Sequence, residues 1–131
     1  MIPNDLKYSK DHEWVRLNGD VAEIGITDFA QDQLGDIVFV EVPEMGAVLT
    51  AGERMGVVES VKTVSDVFAP VSGEVVEINP KLVEDNEDFQ PEIVNSDPFG
   101  EGWMVRVRLS NAAEIETLLD ADAYKAITEE A

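Results

Sequence analysis

Hydrophobic and polar positions alternate along several short runs of the chain, which is the pattern of strands that present one face to a core. Residues 14–18 alternate in this way. Asn18-Gly19 then supplies a type I′ turn signal, and residues 21–26 return as the partner strand. The most strand-like run in the chain is residues 36–42. The N-terminal part of the chain is therefore predicted to form a hairpin followed by a further strand.

Two further strands are predicted later in the chain, at residues 73–79 and 103–109. The second of these carries Arg106 and Arg108 on one face, and we expect both to pair with the protein's own abundant carboxylates. Short strands separated by turn signals about every 8–12 residues are typical of a β-sandwich or a barrel. Residues 80–102 are interrupted by proline and glycine, so this segment is predicted to be irregular.

Helical periodicity is confined to short segments. A capping residue at Thr27 or Asp28 predicts a short helix after the first hairpin. Near the C-terminus, Asn111-Ala-Ala-Glu114 resembles a capping box, and apolar residues follow it at helical spacing. Two C-terminal helices are therefore predicted over residues 111–130, with their apolar stripe packed on the sheet.

The centre of the chain, residues 56–69, mirrors itself about the bond between Lys62 and Thr63. The matched pairs are Val61–Val64, Ser60–Ser65, Glu59–Asp66, Val58–Val67 and Val57–Phe68. Because opposed residues of an antiparallel pair share a face, this symmetry predicts a hairpin in that register, with Lys62 exposed at a tight turn. Gly52 and Gly73 lie on the same mirror, and both are predicted to hold the base of the hairpin through unusual backbone conformations.

Short motifs surround this hairpin and extend along nearly the whole chain. The hairpin itself contains Glu59-Ser-Val-Lys62. The other motifs, in chain order, are His12-Glu-Trp14, Gly25-Ile-Thr-Asp28, Leu34-Gly-Asp36, Ala69-Pro-Val-Ser-Gly73, Asn95-Ser-Asp-Pro98 and Gly100-Glu-Gly-Trp103. In this order they resemble the glycine cleavage system H protein family, and the hairpin resembles its lipoyl-attachment site. The segment between Asn79 and Asn95 is longer than in that family, which concerns only a surface loop.

The resemblance implies a mainly β fold in a single domain over residues 1–131. Its architecture would be the flattened β-barrel of lipoyl and biotinyl domains, a barrel-sandwich hybrid, with short helices. The β core would cover about residues 14–109, and the C-terminal helices would cover about residues 111–130.

The resemblance also implies a carrier rather than an enzyme, with lipoate bound covalently to Lys62 as N6-lipoyllysine. Such a carrier takes the aminomethyl group of glycine from a pyridoxal-phosphate glycine decarboxylase to an aminomethyltransferase that uses tetrahydrofolate. A dihydrolipoyl dehydrogenase reoxidises the cofactor, and a lipoate ligase or an octanoyl or lipoyl transferase attaches it. By the same resemblance, Glu13 and Asp66 would contact the aminomethyl group.

Composition narrows the classes of function. The net charge of −19 argues against nucleic acid as a partner, since phosphate binding needs basic patches, and it favours a soluble monomer steered toward basic partners. With no cysteine and a single histidine, the chain has no thiol chemistry and no His-based zinc site. No apolar run approaches the length of about 20 residues that a membrane span needs. The N-terminal residues lack a basic segment followed by an apolar one, so a cytoplasmic location is expected.

Several alternatives remain open at this stage. A biotin carrier usually has methionines beside its lysine, whereas Val61 and Thr63 flank Lys62 here. A lipoyl domain of a 2-oxo-acid dehydrogenase complex is normally shorter and is linked to a catalytic domain. A carrier of the H protein type could also relay lipoate to other complexes. From a different class, an unmodified acidic scaffold that binds basic partners would share the same composition.

Overall fold

The structure is a computed structural model that describes residues 2–130. Met1 and Ala131, the two ends of the predicted domain, lie outside the described residues. Alternating short runs form nine strands in the described part of the chain: β1 (Lys7–Tyr8), β2 (Glu13–Asn18), β3 (Val21–Ile26), β4 (Ile37–Glu41), β5 (Val48–Leu49), β6 (Arg54–Ser60), β7 (Val64–Phe68), β8 (Gly73–Ile78) and β9 (Val105–Leu109). The predicted strands are confirmed, whereas β1 and β5 were not predicted.

The helical segments are short. The α-helices are α1 (Asp28–Leu34), α2 (Ile93–Ser96) and α3 (Ala121–Glu130), and two 3₁₀ helices cover Pro80–Leu82 and Ala112–Thr117. The side chain of Thr27 caps α1 by accepting a hydrogen bond from the backbone N–H of Ala30, as predicted. The predicted capping box is wrong. Asn111 does cap the following turn, but the carboxylate of Glu114 instead accepts hydrogen bonds from the N–H and hydroxyl of Ser72.

Two antiparallel sheets face each other across one core. The larger sheet has the strand order β1-β2-β3-β9-β8-β5, and the smaller has the order β4-β6-β7. Alternate residues of each sheet point inward and are fully buried, among them Ile24, Val58, Val75, Val105 and Val107. This arrangement confirms the mainly β, flattened barrel-sandwich fold; the two sheets do not join into a closed barrel.

The outer face of the larger sheet carries the predicted arginine pairs. Arg106 binds the carboxylates of Glu23 and Glu77 at 2.8 and 3.1 Å, and Arg108 lies 3.6 Å from Glu74. These pairs confirm that the arginines are partnered by the protein's own acids. The pairs to Glu77 and Glu74 reach exposed carboxylates and contribute little to stability, whereas Glu23 is half-buried.

A second apolar cluster attaches α3 to the edge of the larger sheet. Tyr8 and Tyr124 are both fully buried, and their rings stack with centroids 4.6 Å apart. Trp14 packs in the same cluster, and its indole N–H donates to the carbonyl of Pro98. The C-terminal helix is therefore fixed against β1 and β2, where the candidate site begins.

The predicted register of the central hairpin is wrong by two residues. The structure pairs Glu59 with Val64 and Val57 with Asp66, so the turn lies over Val61 and Lys62. The mirror in the sequence misled because a two-residue turn closes between Ser60 and Thr63, and this fixes the pairs on either side. Lys62 remains at the tip of a tight turn, as predicted.

The two glycines of the mirror have different roles. Gly52 has φ +88°, and its N–H donates to the carbonyl of Ala69 at the base of the hairpin, which confirms the prediction there. Gly73 lies within β8 and its φ is not positive, so the predicted role is wrong. Glycine is needed at that position because a Cβ atom would lie 2.2 Å from the carbonyl oxygen of Arg108.

Candidate functional site

The turn that carries Lys62 is closed by both backbone and side-chain hydrogen bonds. The N–H of Ser60 donates to the carbonyl of Thr63 at 2.8 Å. The hydroxyl of Ser60 accepts hydrogen bonds from the N–H groups of Lys62 and Thr63 at 3.3 and 3.1 Å. Neither Val61 nor Lys62 has a positive φ, so this turn does not use the conformation for which Asn-Gly pairs are favoured. The buried hydroxyl of Ser60 instead satisfies the amides of Lys62 and Thr63.

Lys62 is exposed, and its stem rests on the segment that joins α1 to β4. A Cβ atom on Gly35 would lie 3.3 Å from Cε of Lys62, so the lysine passes directly over this glycine. The N–H of Val61 donates to the carbonyl of Asp36 at 3.0 Å. Within residues 2–130, Nζ of Lys62 forms no ion pair. The amine is thus presented outward from a fixed turn.

The valines beside the lysine are also exposed. Val61 and Val64 keep 70% and 61% of their surfaces accessible, although valine is usually buried. Lys62 is therefore bordered by apolar side chains on the same turn and at the start of β7. These side chains offer apolar contact to any enzyme that receives the lysine.

Glu13 is a buried acid at the start of β2, with only 2% of its surface accessible. Its carboxyl oxygens accept hydrogen bonds from the hydroxyl of Ser9 at 2.5 Å and from the N–H of Phe68 at 3.2 Å. Burial raises the pKa of Glu13 to about 7, although both hydrogen bonds oppose the rise. The sequence places Glu13 near the hairpin only by resemblance; the contact with Phe68 joins it to β7, the strand that follows the Lys62 turn.

The approach to Glu13 is a small cleft. It has a volume of about 260 Å³ and lies between the start of β2 and the base of the hairpin. Glu13 and Ser9 line it together with Gly52 and Ala69. The buried carboxyl therefore has a path to the surface, so burial and accessibility to a small group are compatible.

Asp66 lies on the outer face of β7, where about half of its side chain is accessible. Its carboxylate is 3.8 Å from the guanidinium of Arg54, and its strand partner is Val57. Residues two apart on a strand share a face, so Asp66 and Phe68 are about 6.6 Å apart along β7. The structure thus places Asp66 on the same strand that contacts Glu13, but it does not bring the side chains of Asp66, Glu13 and Lys62 into contact.

His12 directly precedes Glu13 and contacts Tyr124, and it was not predicted as part of the site. It has φ +73°, which is unusual for a residue other than glycine. Its Nδ1 lies 2.8 Å from the hydroxyl of Tyr124, and that hydroxyl shares a hydrogen bond of 2.6 Å with Thr27. Burial lowers the pKa of His12, so the ring is neutral near pH 7 and can accept a hydrogen bond from Tyr124. The signal that could have revealed this role is the lone histidine directly before Glu13.

Other kinds of site find no support in the described part of the chain. Residues 2–130 contain no group of three or more His, Asp or Glu side chains arranged to hold a metal ion. In the same residues, no helix has both the length and the apolar character that crossing a membrane requires. Two features remain: an exposed lysine, Lys62, on a fixed turn, and a buried acid, Glu13, that contacts the far end of the strand following that turn.

Comparison with known proteins agrees with this geometry. The family model described as "Glycine cleavage H-protein" matches residues 6–131. The chain is 58% identical over 129 residues to the glycine cleavage system H protein of Symbiobacterium thermophilum, covering 98% of this chain and 97% of that protein. It is 60% identical over 124 residues to the protein of the same name from Marinobacter nauticus, covering 94% and 92%.

A solved structure shows the same fold. The crystal structure of a glycine cleavage system H protein from Mycobacterium marinum superposes with a TM-score of 0.83 at 43% identity, covering 95% of this chain and 97% of that one. Sequence and structure agree over nearly the full length of both proteins. The chain therefore belongs to the glycine cleavage H-protein family, whose members are lipoyl carriers of the glycine cleavage system and not catalysts.

Proposed function

We propose that this carrier holds its lipoate on Lys62, through an amide between Nζ and the carboxyl group of the cofactor. The observation that supports this most directly is the exposed lysine at the tip of a two-residue turn. The amide removes the charge of the amine. Since Nζ of Lys62 forms no ion pair within residues 2–130, attachment breaks no existing interaction of that kind.

The residues around Lys62 fit such an attachment. The turn is restrained because the N–H groups of Lys62 and Thr63 are bonded to the hydroxyl of Ser60, and the stem of the lysine lies against Gly35. A modifying enzyme must select Lys62 among the lysines of the chain, and a fixed and exposed position distinguishes it. Lys81, by contrast, lies 3.3 Å from Glu101 in an ion pair.

When bound, the dithiolane of lipoate supplies the sulfur that accepts the aminomethyl group of glycine. We propose that Glu13 keeps the amine of this cargo protonated. Loss of ammonia from an aminomethyl sulfide requires the lone pair of the nitrogen, so a carboxylate that favours the ammonium form slows it. β7 spans four residue steps from Val64 to Phe68, about 13 Å, and the extended arm reaches roughly 14 Å. The extended arm is therefore about as long as β7, the strand that leads from the turn to the contact with Glu13.

We assign Asp66 a supporting role in the same step. Its exposed carboxylate lies along the path between the turn and Phe68, and it adds negative charge to a surface that a cationic cargo must cross. Arg54 neutralises part of that charge, so the contribution of Asp66 is smaller than that of Glu13.

The proposed partners follow from this cycle. They are a pyridoxal-phosphate glycine decarboxylase, a tetrahydrofolate-dependent aminomethyltransferase, a dihydrolipoyl dehydrogenase, and a lipoate ligase or an octanoyl or lipoyl transferase. The net charge of −19 favours docking faces with basic residues on each of them.

The attachment is tested by peptide mass mapping of the protein purified from its own host. We expect one lipoyl group, on Lys62, and none on Lys81. The Lys62→Arg variant should fold normally and lose glycine cleavage, whereas Lys81→Arg, the matched control, should keep it. A lipoyl group on another lysine, or full activity of Lys62→Arg, would refute the assignment.

A further inference from the structure

Asn95, in the short helix α2, joins the end of α1 to the start of β4. Its Oδ1 accepts a hydrogen bond from the N–H of Ile37 at 2.8 Å. Its Nδ2 donates to Oε1 of Gln31 at 2.8 Å and to the carbonyl of Gly35 at 2.9 Å. The amide of Gln31 is itself oriented by Asp28, to which its Nε2 donates at 2.8 Å. The side chain of Asn95 therefore binds Gln31 and Gly35 before Asp36 and Ile37 after it.

The segment that Asn95 holds is the same segment that supports the Lys62 turn. Gly35 lies under the stem of Lys62, and the carbonyl of Asp36 accepts the N–H of Val61. Ile37 pairs with Ser60, the residue that closes the turn. Asn95 binds Gly35 and Ile37, and Asp36 lies between them. These three residues contact the residues that set the direction of Lys62. We call residues 35–37 the platform.

The platform needs an external tie because the elements beside it are weak. α1 has seven residues and α2 has four, and helices of this length are not stable on their own. Gly35, at the end of α1, adopts φ +84°, and a glycine restrains the backbone less than any other residue. The hydrogen bonds of Asn95 restrain this junction at Gly35 and at Ile37, on both sides of Asp36.

We propose that Asn95 is a positioning residue for Lys62: through the platform, it sets the direction in which the lysine is presented to the enzyme that acylates it. This inference rests on the proposed attachment of lipoate to Lys62. Asn95 itself touches neither the lysine nor the cofactor. Removal of its hydrogen bonds lets the platform shift, and the amine then spends less time in the geometry that acyl transfer requires.

The chain provides a matched control in Asn79. Its Nδ2 donates to the carbonyls of Glu101 and Trp103, both at 2.7 Å, and its Oδ1 accepts the N–H of Lys81. Asn79 therefore donates two hydrogen bonds and accepts one, as Asn95 does, but all its partners are backbone groups and it ties the end of β8 to the segment before β9. An Asn→Leu change removes equivalent hydrogen bonds at either position, and only Asn95 leads to the Lys62 turn.

The test compares wild-type protein, Asn95→Leu and Asn79→Leu as acceptors for a lipoate ligase supplied with ATP and lipoate. Initial rates are followed by intact mass at a temperature where all three proteins are folded. We expect Asn95→Leu to lower kcat by about tenfold with KM changed less than twofold, because the exposed side chains that the ligase contacts are retained. Asn79→Leu should match wild type. In parallel, the amide of Val61 should exchange with solvent faster in Asn95→Leu only.

Equal rates for the two variants, whether both are normal or both are reduced, overturn the role of Asn95 and leave the proposed attachment standing. Wild-type protein that gains no lipoyl group on Lys62 overturns both. If Asn95→Leu does not fold, Asn95→Asp replaces it. That variant keeps the acceptor for Ile37 and loses the donation to Gly35, so the same fall in kcat is expected, and a normal kcat overturns the proposal.

Discussion

The N–H of Phe68 donates to the carboxyl of Glu13, and this bond joins the start of the larger sheet to the strand that follows the Lys62 turn. It is the most direct link between the two parts of the site. It also explains why a nearly inaccessible acid belongs to a surface carrier, since the bond aims the carboxyl at β7. The first two predictions depend on this acid.

Replacement of Glu13 by Gln should speed the loss of ammonia from the loaded arm by about tenfold, which corresponds to roughly 1.4 kcal/mol. The amide cannot favour the ammonium form of the cargo as a carboxylate does. The variant is loaded with glycine and the decarboxylase at pH 8, the enzyme is removed, and ammonia release is timed. Glu59→Gln is the control, because Glu59 lies on β6 and makes no contact with Phe68 in the strand register. An unchanged rate in Glu13→Gln would exclude this role.

The stability of the protein should depend on pH through Glu13. Burial raises the pKa of this carboxyl from 4.5 to about 7, so the folded state binds a proton that the unfolded state releases. Its stabilising contribution is complete below pH 4.5 and is lost as pH rises through 7. The loss is roughly 3 kcal/mol.

Urea unfolding gives the free energy of unfolding of wild-type protein and of Glu13→Gln, and the difference between the two values measures this contribution. That difference should favour wild type more at pH 4.5 than at pH 8, since the glutamine does not titrate. A difference that stays constant across this range would show that Glu13 has an ordinary pKa in the folded protein.

The hydroxyl of Tyr124 should contribute more to the free energy of unfolding than that of Tyr8, although the two rings are equally buried and stack on each other. Tyr124→Phe removes the hydrogen bonds to both His12 and Thr27 and should lower the free energy of unfolding by about 1–3 kcal/mol. Tyr8→Phe removes one hydrogen bond, to the carbonyl of Pro3, and should have a smaller effect.

Amide exchange separates a local effect from a general one. The N–H of Thr27 donates to the carbonyl of His12, so its exchange should accelerate in Tyr124→Phe and not in Tyr8→Phe. Equal losses of stability and equal exchange in the two variants would show that the Tyr124 hydroxyl does not hold His12 through their hydrogen bond.

Substitution of Gly52 and of Gly73 by alanine should destabilise the protein for different reasons. At Gly52 a Cβ atom meets no atom within 4 Å, so Gly52→Ala costs only its conformational strain at φ +88°, about 1 kcal/mol. Gly52→Asn should cost less, because asparagine tolerates this conformation. Gly73→Ala should cost more than either, since its Cβ would meet backbone atoms of β9. Thermal unfolding checks the order of the three variants, and a harmless Gly73→Ala would contradict the close approach.

Local patterns in the sequence were sufficient for much of this fold. The alternation in residues 14–18 and 21–26, with Asn18-Gly19 between them, is a local signal, and the hairpin follows from it. The exposure of Lys62 was also predictable, because any register that turns near residues 61–63 leaves it at the tip. The two strands of only two residues, β1 and β5, were not predictable, because they are defined by their partners and not by their own composition.

The remaining differences arise from contacts between distant parts of the chain. Glu114 looked like a capping residue but binds Ser72, 42 positions away. The hairpin register depended on the Ser60 hydroxyl, which no symmetry of residue types reveals. Burial of Glu13 and the ties of Asn95 across 58 positions also required the folded chain. Motif resemblance located these residues without indicating what they contact.

The closed turn beneath Lys62 has a consequence for the enzymes that use it. With lipoate on Lys62, as proposed, neither the turn nor the platform extends with the arm, so the length of the arm itself limits how far the cofactor reaches from this surface. An active site that the cofactor enters can then lie no deeper than roughly 14 Å below the rim that meets Val61 and Val64. Unrelated catalytic folds that accept the same arm would therefore share this upper limit on the depth of their tunnels.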